Sequence, residues 1–558
     1  MLRRIVAVVG AGYEARYTAF WETSMLMKKN FLISTLILLI LVVLSCEDRK
    51  NELSVLENYI NFKLERDHMS GLAIAIVKGD DIVWSKGFGL ADIENQKCVT
   101  GKTVFGAASI TKSFTAAAIF QLQEKGKLNI NDLVDKYLPF KVVSSWQPKS
   151  SLTIRQVLTH TSGISNGPSL WRIIGCGDSP ITLKEWAEGY FISDGKYWHS
   201  EGNFERWPPE KGFQYSNAGY GLLAYIVEQV SGEKFYDYIR YNLLEPLEMY
   251  TASLRIADLD SSLLTCMYEW GELWGFEYEL FAPGTDTTNL AENERFTKIC
   301  TYNDPVYGAG SLYCSPEELC NYLVMIKNKG MYKGKQILKE ESVDTMFSAQ
   351  VNRKYIPPWF VDVGMGAYSM RLDNGEAVWG HTGADPGMSS FMFLNREADL
   401  GVVVLANRFF DIRDLISWTF AEGFRAFGDH SIVDENPNWS LYCGKMTGKQ
   451  LKERKVTIEV TAADLEENDI VYINGNHHKI GGWISKGIDL VKHSNGLWSR
   501  EFSFFDSTKL GFKVTRGSWG KQEVLADGKN PEPHLLKVAK DTTISLEIAY
   551  WKDRFTKF

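Results

Sequence analysis

Cysteine is scarce and scattered in this chain, with eight among 558 residues at Cys46, Cys98, Cys176, Cys266, Cys300, Cys314, Cys320 and Cys443. No paired Cys-x-x-Cys units and no His-Glu-x-x-His occur, so zinc-ligand spacings are missing and we expect no metal and no cofactor. Long basic runs are also missing and the formal net charge is -8. That leaves no electrostatic footprint for nucleic acid, and that class of partner is set aside. The apolar run from Phe31 to Leu44 falls short of the ~20 residues that span a bilayer comfortably.

What the chain does have is length and an export signal. At 558 residues and 45% hydrophobic content it can build more than one core, and two folded domains plus a leader are expected. Lys28-Lys29, the apolar run and Ser45-Cys46 form the basic region, short hydrophobic region and small residue of a secretory signal peptide. Val43-Leu44-Ser45-Cys46 resembles a bacterial lipobox, which implies that Cys46 carries a lipid and that the protein is exported and membrane-anchored, in the periplasm or at the cell surface. Residues 1–24 then read as an upstream extension, with Met25 or Met27 as the start; the alternative is an uncleaved signal anchor. Seven cysteines remain beyond Cys46, an odd number, so at least one stays unpaired. Buried free thiols are expected, with a Cys314 to Cys320 bridge as the alternative in an oxidising compartment.

The chemistry starts at Ser109-Ile110-Thr111-Lys112. Residues three apart share one helical face, so the Lys112 amine can reach the Ser109 oxygen and take its proton. An Ala-rich apolar stretch follows, Phe114 to Gln123, as a buried helix would have. Two further motifs come in order: Tyr215-Ser216-Asn217, and His381-Thr382-Gly383 on an expected strand with Ala384-Asp385-Pro386-Gly387 as its turn. Leu158-Thr159-His160-Thr161-Ser162-Gly163-Ile164 lies between the first two.

Together these resemble the serine beta-lactamase and penicillin-binding-protein family, in its branch with Tyr-x-Asn as second motif, over roughly residues 55–425. The resemblance implies an α/β, beta-lactamase-like fold: a central antiparallel sheet flanked by helices plus a mostly helical subdomain, with the cleft between. It implies that Ser109 attacks an acyl carbon, that Lys112 and Tyr215 move its proton, and that Asn217 orients Lys112 and the substrate. The backbone amides of Ser109 and Ala384 would make the oxyanion hole, with His381, Thr382 and Gly383 along the substrate. His160 is read as a structural histidine. His381 departs from the lactamase pattern, which has lysine there, and is similar instead to esterase and D-amino-acid peptidase members. We read His381 as a hydrogen-bond donor to substrate whose charge is not required.

Local signals agree with that architecture. A helix is expected near 53–66, then a hairpin of Gly71–Val77 with a strand around Ile82 to Ser85 across Lys78-Gly79-Asp80-Asp81. Ser315-Pro316-Glu317-Glu318 predicts a capped helix start. Three strands follow at Val378–Gly383, Ser390–Leu394 and Gly401–Ala406, and a helix from Asp411 to Phe427 closes the unit. The domain plan is residues 1–46 for the extension and leader, 47–428 for the hydrolase-like domain, 429–453 for a linker and 454–558 for a small all-β sandwich. Gly481-Gly482-Trp483 and Phe512 to Trp519 resemble starch-binding carbohydrate-binding modules, which implies Trp483, Lys513 and Trp519 as sugar contacts. The alternative is that the tryptophans are sandwich core without a ligand.

The function expected is an exported serine hydrolase forming an acyl-enzyme on an ester or amide, a D-amino-acid peptide or small ester. True beta-lactamase or D-Ala-D-Ala carboxypeptidase activity is the second reading, and a non-catalytic peptide- or sugar-binding surface lipoprotein the third. Partners expected are a small-molecule or peptide substrate, polysaccharide through the C-terminal domain, and the membrane. Substrate loops are placed at Glu188 to Lys211 and Tyr268 to Thr297.

Overall fold

The computed structural model describes residues 53–554 apart from 143, 145, 147–150, 171–172, 271–295, 358–359, 373–374, 411–412, 428–452, 476–479, 481–486, 506–508 and 527. By compactness the chain divides into Met1–Tyr59 and Ile60–Phe558. Of the first unit, residues 53–59 are described and open helix α1 (Ser54–Arg66); all that follows concerns the second. The expected leader and Cys46 lie outside the described residues, among which no helix is long and apolar enough to cross a membrane.

A long apolar run, GLAIAIVK, makes β1 (Gly71–Lys78), almost wholly buried as a central strand must be. Gly79, at φ +63°, and Asp80 turn it into β2 (Asp81–Asp92), with Lys78 opposite Asp81. β2 runs beyond the expected Ser85 because its residues are mostly half-exposed, so no apolar alternation marks its later half. The edge strand β3 (Lys97–Cys98) follows.

Far along the chain come β4 (Asp362–Val363), β5 (Tyr368–Arg371), β6 (Ala377–Asp385), β7 (Met388–Asn395) and β8 (Leu400–Ala406). They join the first three in one eight-stranded sheet in the order β4-β5-β6-β7-β8-β1-β2-β3. Every pairing is antiparallel. β1 thus lies beside β8, with Leu72 opposite Ala406, so the first and last strands of this sheet in chain order are neighbours. Everything between β3 and β4 forms the mostly helical part.

Helix α2 (Thr111–Glu124) is buried from Thr111 to Leu122 and runs through the main core. Helix α3 (Asn217–Ser231) begins after the Ser216 cap, whose Oγ accepts from the Gly219 amide at 2.8 Å. Helix α4 (Pro316–Lys327) carries the capping box that the sequence predicts, with Ser315 and Glu318 satisfying each other's amides. Helix α5 (Arg413–Phe427) comes last.

The cysteines differ from expectation at one pair. Cys314 and Cys320 are buried and free, but Cys176 and Cys300 are joined by a disulfide. The short strands Gly175–Cys176 and Tyr302–Asn303 pair antiparallel and bring those two residues together, a juxtaposition no sequence spacing encodes. One expected loop also differs: Met267–Trp270 and Phe296–Ile299 are paired strands, with 271–295 outside the described residues.

Residues 453–551 carry two four-stranded sheets. The first holds Glu453–Ala462 between Trp498–Phe505 and, in parallel, Thr542–Ile548. The second holds Tyr472–Gly475 and Lys509–Thr515 side by side. Both contribute to one core that includes Val456, Ile458, Ile473, Phe512, Trp498 and Trp551. Trp483 lies outside the described residues. Lys513 is half-buried on its strand, its amine pulled down by burial, and Trp519 opens the short 3-10 turn Trp519–Lys521.

Candidate active site

Ser109 sits in a 3-10 turn, Ala108–Ile110, that leads directly into α2. Its neighbours Ala108 and Ile110 have no exposure, whereas Ser109 itself is half-buried, so its hydroxyl looks out from a packed wall. Ala108 adopts φ +44°, a left-handed conformation that costs an alanine energy. Such strain persists only where the surrounding packing fixes it, and here it fixes the turn that presents Ser109.

Lys112, three residues on, reaches back as its spacing predicts. Its Nζ donates to Ser109 Oγ at 3.0 Å and to the Ala309 carbonyl at 2.7 Å. It stands 4.8 Å from the Tyr215 ring centre and 5.7 Å from that of Tyr220. The side chain has no exposure, and burial pulls its amine well down from the ordinary lysine range, against the opposing pull of Asp385 and Asp304. Tyr215 also hydrogen-bonds Ser109, and burial drives its phenol well above the ordinary tyrosine range. Of the two groups the sequence offers as base, the environment thus favours the neutral form of both. For the amine that is the proton-accepting form; for the phenol it is the proton-donating one.

The Tyr215 segment is held by two residues. His160 Nδ1 accepts from the Ser216 amide at 3.1 Å, and Asn166 Oδ1 accepts from the Asn217 and Ala218 amides at 2.8 and 3.2 Å. His160 is buried at φ +59°, and desolvation beside Lys112 holds it neutral, which leaves Nδ1 free to accept. It therefore acts as a backbone clamp, the structural part expected of it. Asn217 Oδ1 is buried without a hydrogen-bond partner, and the Lys112 amine is held by the Ala309 carbonyl.

Strand β6 brings the third motif alongside. A methyl group on Gly383 would lie 2.9 Å from the Ser109 amide nitrogen and 2.4 Å from the Ala107 carbonyl, so only glycine lets the strand approach this closely. Ser390 Oγ on β7 donates to that same carbonyl at 2.6 Å. Ala384 is exposed, next to Ser109's turn. Thr382 is gripped by Tyr368, whose hydroxyl takes the Thr382 amide at 2.9 Å and meets Thr382 Oγ1 at 2.5 Å. Both Asn166 and Tyr368 escape the sequence reading, because neither lies in a motif.

His381 behaves differently from expectation. Its Nδ1–H donates to the Thr382 carbonyl at 2.5 Å, and burial beside Lys112 holds the ring down to about 3, hence neutral. A neutral imidazole has one N–H, and this one is spent. Nε2 is left as an acceptor, so the ring is not the donor to substrate that the sequence suggests.

Two carboxyls complete the surroundings. Burial pushes Asp304 up to about 6, with Lys112 and the Val306 amide pulling the other way. Asp385, at the end of β6, is pushed up by burial and by Asp304, against Lys112. A group at the Gly310 Cβ position would be 3.5 Å from Asp385 Oδ2, next to the Ala309 carbonyl that holds Lys112. The sequence places Asp385 in a turn and gives no signal for Asp304.

The comparisons agree with this geometry. Residues 56–423 match the family model described as Beta-lactamase. Protein flp of Staphylococcus aureus (strain NCTC 8325 / PS 47) is 26% identical over 63% of this chain and 62% of its own length, so less than two thirds of that relative is spanned. Penicillin-binding protein 4* of Bacillus subtilis (strain 168) is 25% identical over 62% of this chain and 69% of its own. In fold, the octameric penicillin-binding protein homologue from Pyrococcus abyssi superposes with a TM-score of 0.51 at 22% identity, over 84% of this chain and 95% of that one. The D-amino acid amidase from Ochrobactrum anthropi SV3 complexed with D-phenylalanine gives 0.51 at 18% identity, over 68% and 99%. With the family model covering most of the chain and its serine, lysine and tyrosine gathered at one point, this chain belongs to the Beta-lactamase family of serine hydrolases.

Proposed function

We propose that this chain is a serine hydrolase that acylates Ser109 on an ester or amide, a D-amino-acid peptide or a small ester. The observation that carries this is the fully buried Lys112 amine 3.0 Å from Ser109 Oγ. Ser109 Oγ attacks the acyl carbon as its proton passes to Lys112 Nζ. Tyr215, kept protonated by burial and bonded to Ser109, gives a proton to the leaving group and recovers one from Lys112. Water then attacks the acyl carbon, and Ser109 regains its proton. The amides of Ser109 and Ala384 hold the developing oxyanion, with Gly383 permitting the approach. Asn217, His381 and Thr382 line the substrate.

The test is intact-mass spectrometry of the protein treated with a fluorophosphonate, beside Ser109→Ala. One adduct on the parent and none on the variant supports the reading. No adduct on a folded parent removes it and favours the peptide- or sugar-binding alternative.

True beta-lactamase or D-Ala-D-Ala carboxypeptidase activity is the weaker reading, because a neutral His381 offers no cation to a substrate carboxylate. Slow or absent nitrocefin turnover is expected. Export with lipid on Cys46 is proposed from the lipobox-like Val43-Leu44-Ser45-Cys46, and the Cys176–Cys300 disulfide suits an oxidising compartment. Radiolabelled palmitate incorporation lost in Cys46→Ala checks it. Polysaccharide binding by Trp483, Lys513 and Trp519 is checked by electrophoresis in soluble starch, where retardation unaffected by Trp483→Ala excludes it.

A further inference from the structure

The turn beside Ser109 is of a kind that its own strands do not favour. Asp385 pairs with Met388, so β6 and β7 are joined by just two residues, Pro386 and Gly387. Proline holds its own φ at about -65°. Gly387 takes φ +74°, and together these match a type II turn. Two-residue hairpins prefer the mirror-image types, because types I and II splay strands that twist right-handedly. Something outside the hairpin must therefore hold Ala384 to Gly387 against the Ser109 turn.

Two side chains from one neighbouring stretch do so. Glu269, on the strand Met267–Trp270, accepts the Gly387 amide on Oε1 at 2.7 Å and the Phe409 amide on the same oxygen at 3.3 Å. Its Oε2 lies 3.9 Å from Nε of Arg408, whose guanidinium donates to the Asp67 and His68 carbonyls. The carboxylate thus ties the turn to the chain just before β1 and just after β8, the middle pair of the sheet. Tyr302, shortly after the partner strand Phe296–Ile299, donates its hydroxyl to the Pro386 carbonyl at 2.8 Å. Burial drives that phenol well above the ordinary tyrosine range, so it keeps the proton it donates.

Both contacts fall on one peptide unit, the Pro386 carbonyl and the Gly387 amide. That central peptide is the one whose flip separates type II from type I. Packing closes the same joint: a methyl on Gly387 would come 2.6 Å from both Met267 Cβ and Ile299 Cδ1. Met267, Ile299, Tyr302 and Met388 share a small core with Ala108, the neighbour of Ser109.

We infer that Glu269 is a positioning residue for acylation: by accepting the Gly387 amide while Tyr302 holds the Pro386 carbonyl, it fixes the turn so that the Ala384 amide meets the oxyanion. This rests on the proposed acylation of Ser109 and adds to it two residues outside the three motifs. Without the brace the central peptide is free to flip, and Ala384 moves with it relative to Ser109.

Labelling of Ser109 by a fluorophosphonate in the full chain, followed over a range of probe concentrations, separates the maximal rate from the half-saturating concentration. Glu269→Leu is expected to lower the maximal rate about tenfold or more, as a displaced group does, with half-saturation changing less than about threefold. Glu269→Gln keeps an acceptor oxygen at the same reach and is expected to stay within about threefold of the parent. Tyr302→Phe removes a single hydroxyl and is expected to lower the maximal rate in the same direction, a second route should Glu269→Leu not fold. Ser315→Ala removes the cap of α4 and is the control for lost stability alone; it is expected to label like the parent. Parental maximal rates in Glu269→Leu and Tyr302→Phe, a fall in Glu269→Gln as deep as in Glu269→Leu, or an equal fall in Ser315→Ala overturns the positioning role while leaving the labelled Ser109 and the hydrolase reading in place. Absence of labelling on the folded parent overturns both.

Discussion

The backbone amide of Ser216 donates to Nδ1 of His160 at 3.1 Å, which ties the Tyr215 segment to a histidine 56 residues earlier. His160 is buried against Tyr215, with ring centres 4.5 Å apart, so it fixes both the backbone and the ring of the proposed proton donor. His160→Ala leaves the Ser216 amide unmatched and opens a space beside Tyr215. A stability loss of about 1–3 kcal/mol follows, and kcat falls about tenfold or more with KM changing less. An acid-limb shift in the pH profile of the variant would show instead that His160 titrates in the reaction, and would contradict the clamp.

A second prediction concerns pH. Burial lowers the Lys112 amine, while Asp385 and Asp304 raise it. Fluorophosphonate labelling of Ser109 requires the neutral amine, so its rate rises with pH through the Lys112 titration and levels off well below the ordinary lysine range near 10.5. Removing the negative charge in Asp385→Asn removes a force that favours the protonated amine. The acid limb must therefore move to lower pH. Stability has its own sign: the unfolded amine binds its proton more tightly than the folded one, so this group's contribution to stability rises with pH between the two titrations. A labelling profile that stays flat from pH 5 to 10, or moves to higher pH in the variant, sinks the assignment of Lys112 as base.

Much of this site is legible in the sequence because local spacing carries it. Ser109 and Lys112 are three apart, and the structure joins them at 3.0 Å. Ser315-Pro316-Glu317-Glu318 gives its helix start in full, and the apolar runs of β1, β7 and β8 give the sheet's buried centre. What local spacing cannot carry are groups brought in by the fold from elsewhere. Asn166, Tyr368 and Asp304 sit in no motif, yet they cap α3, grip Thr382 and act on Lys112. The direction of His381's hydrogen bond is likewise invisible, since it depends on a carbonyl one residue away and on burial. The Cys176–Cys300 pair is hidden for the same reason, lying 124 residues apart.

Gly383 supplies a third prediction, argued from contact alone. Its missing side chain lets β6 lie against the Ser109 turn, where a methyl would come 2.3 Å from Ser390 Oγ, 2.4 Å from the Ala107 carbonyl and 2.9 Å from the Ser109 amide. Two of those neighbours are backbone and cannot swing aside, so Gly383→Ala pushes the strand away from the turn. Labelling of Ser109 is expected to drop about a hundredfold, the scale of a lost oxyanion donor. Gly175→Ala is the control, since a methyl there meets nothing within 4 Å. Equal labelling of the two variants argues that the amide of Ala384 takes no part.

The last prediction concerns the disulfide. Cys176 and Cys300 close a loop with a separation of 124 residues, and Cys300 is followed by Thr301, Tyr302, Asn303 and Asp304. Asn303 ties that stretch to Asp178 at 2.9 Å and to the Leu254 carbonyl at 2.9 Å. The cross-link restricts the unfolded chain and keeps the Asp304 segment against its neighbours in the folded one. Replacing both cysteines by serine is expected to cost about 2–4 kcal/mol, read as a lower melting temperature. Reduction of the parent should give the same shift, and Cys98, Cys266, Cys314 and Cys320 should still react as free thiols in unreduced, denatured protein. If Asp304 reaches Lys112 only because this bridge holds its segment, the double serine variant also moves the acid limb of Ser109 labelling to lower pH, as Asp304→Asn would. A variant that melts earlier but keeps its pH profile would mean that the hydrogen bonds of Asn303 hold Asp304 in place without the bridge.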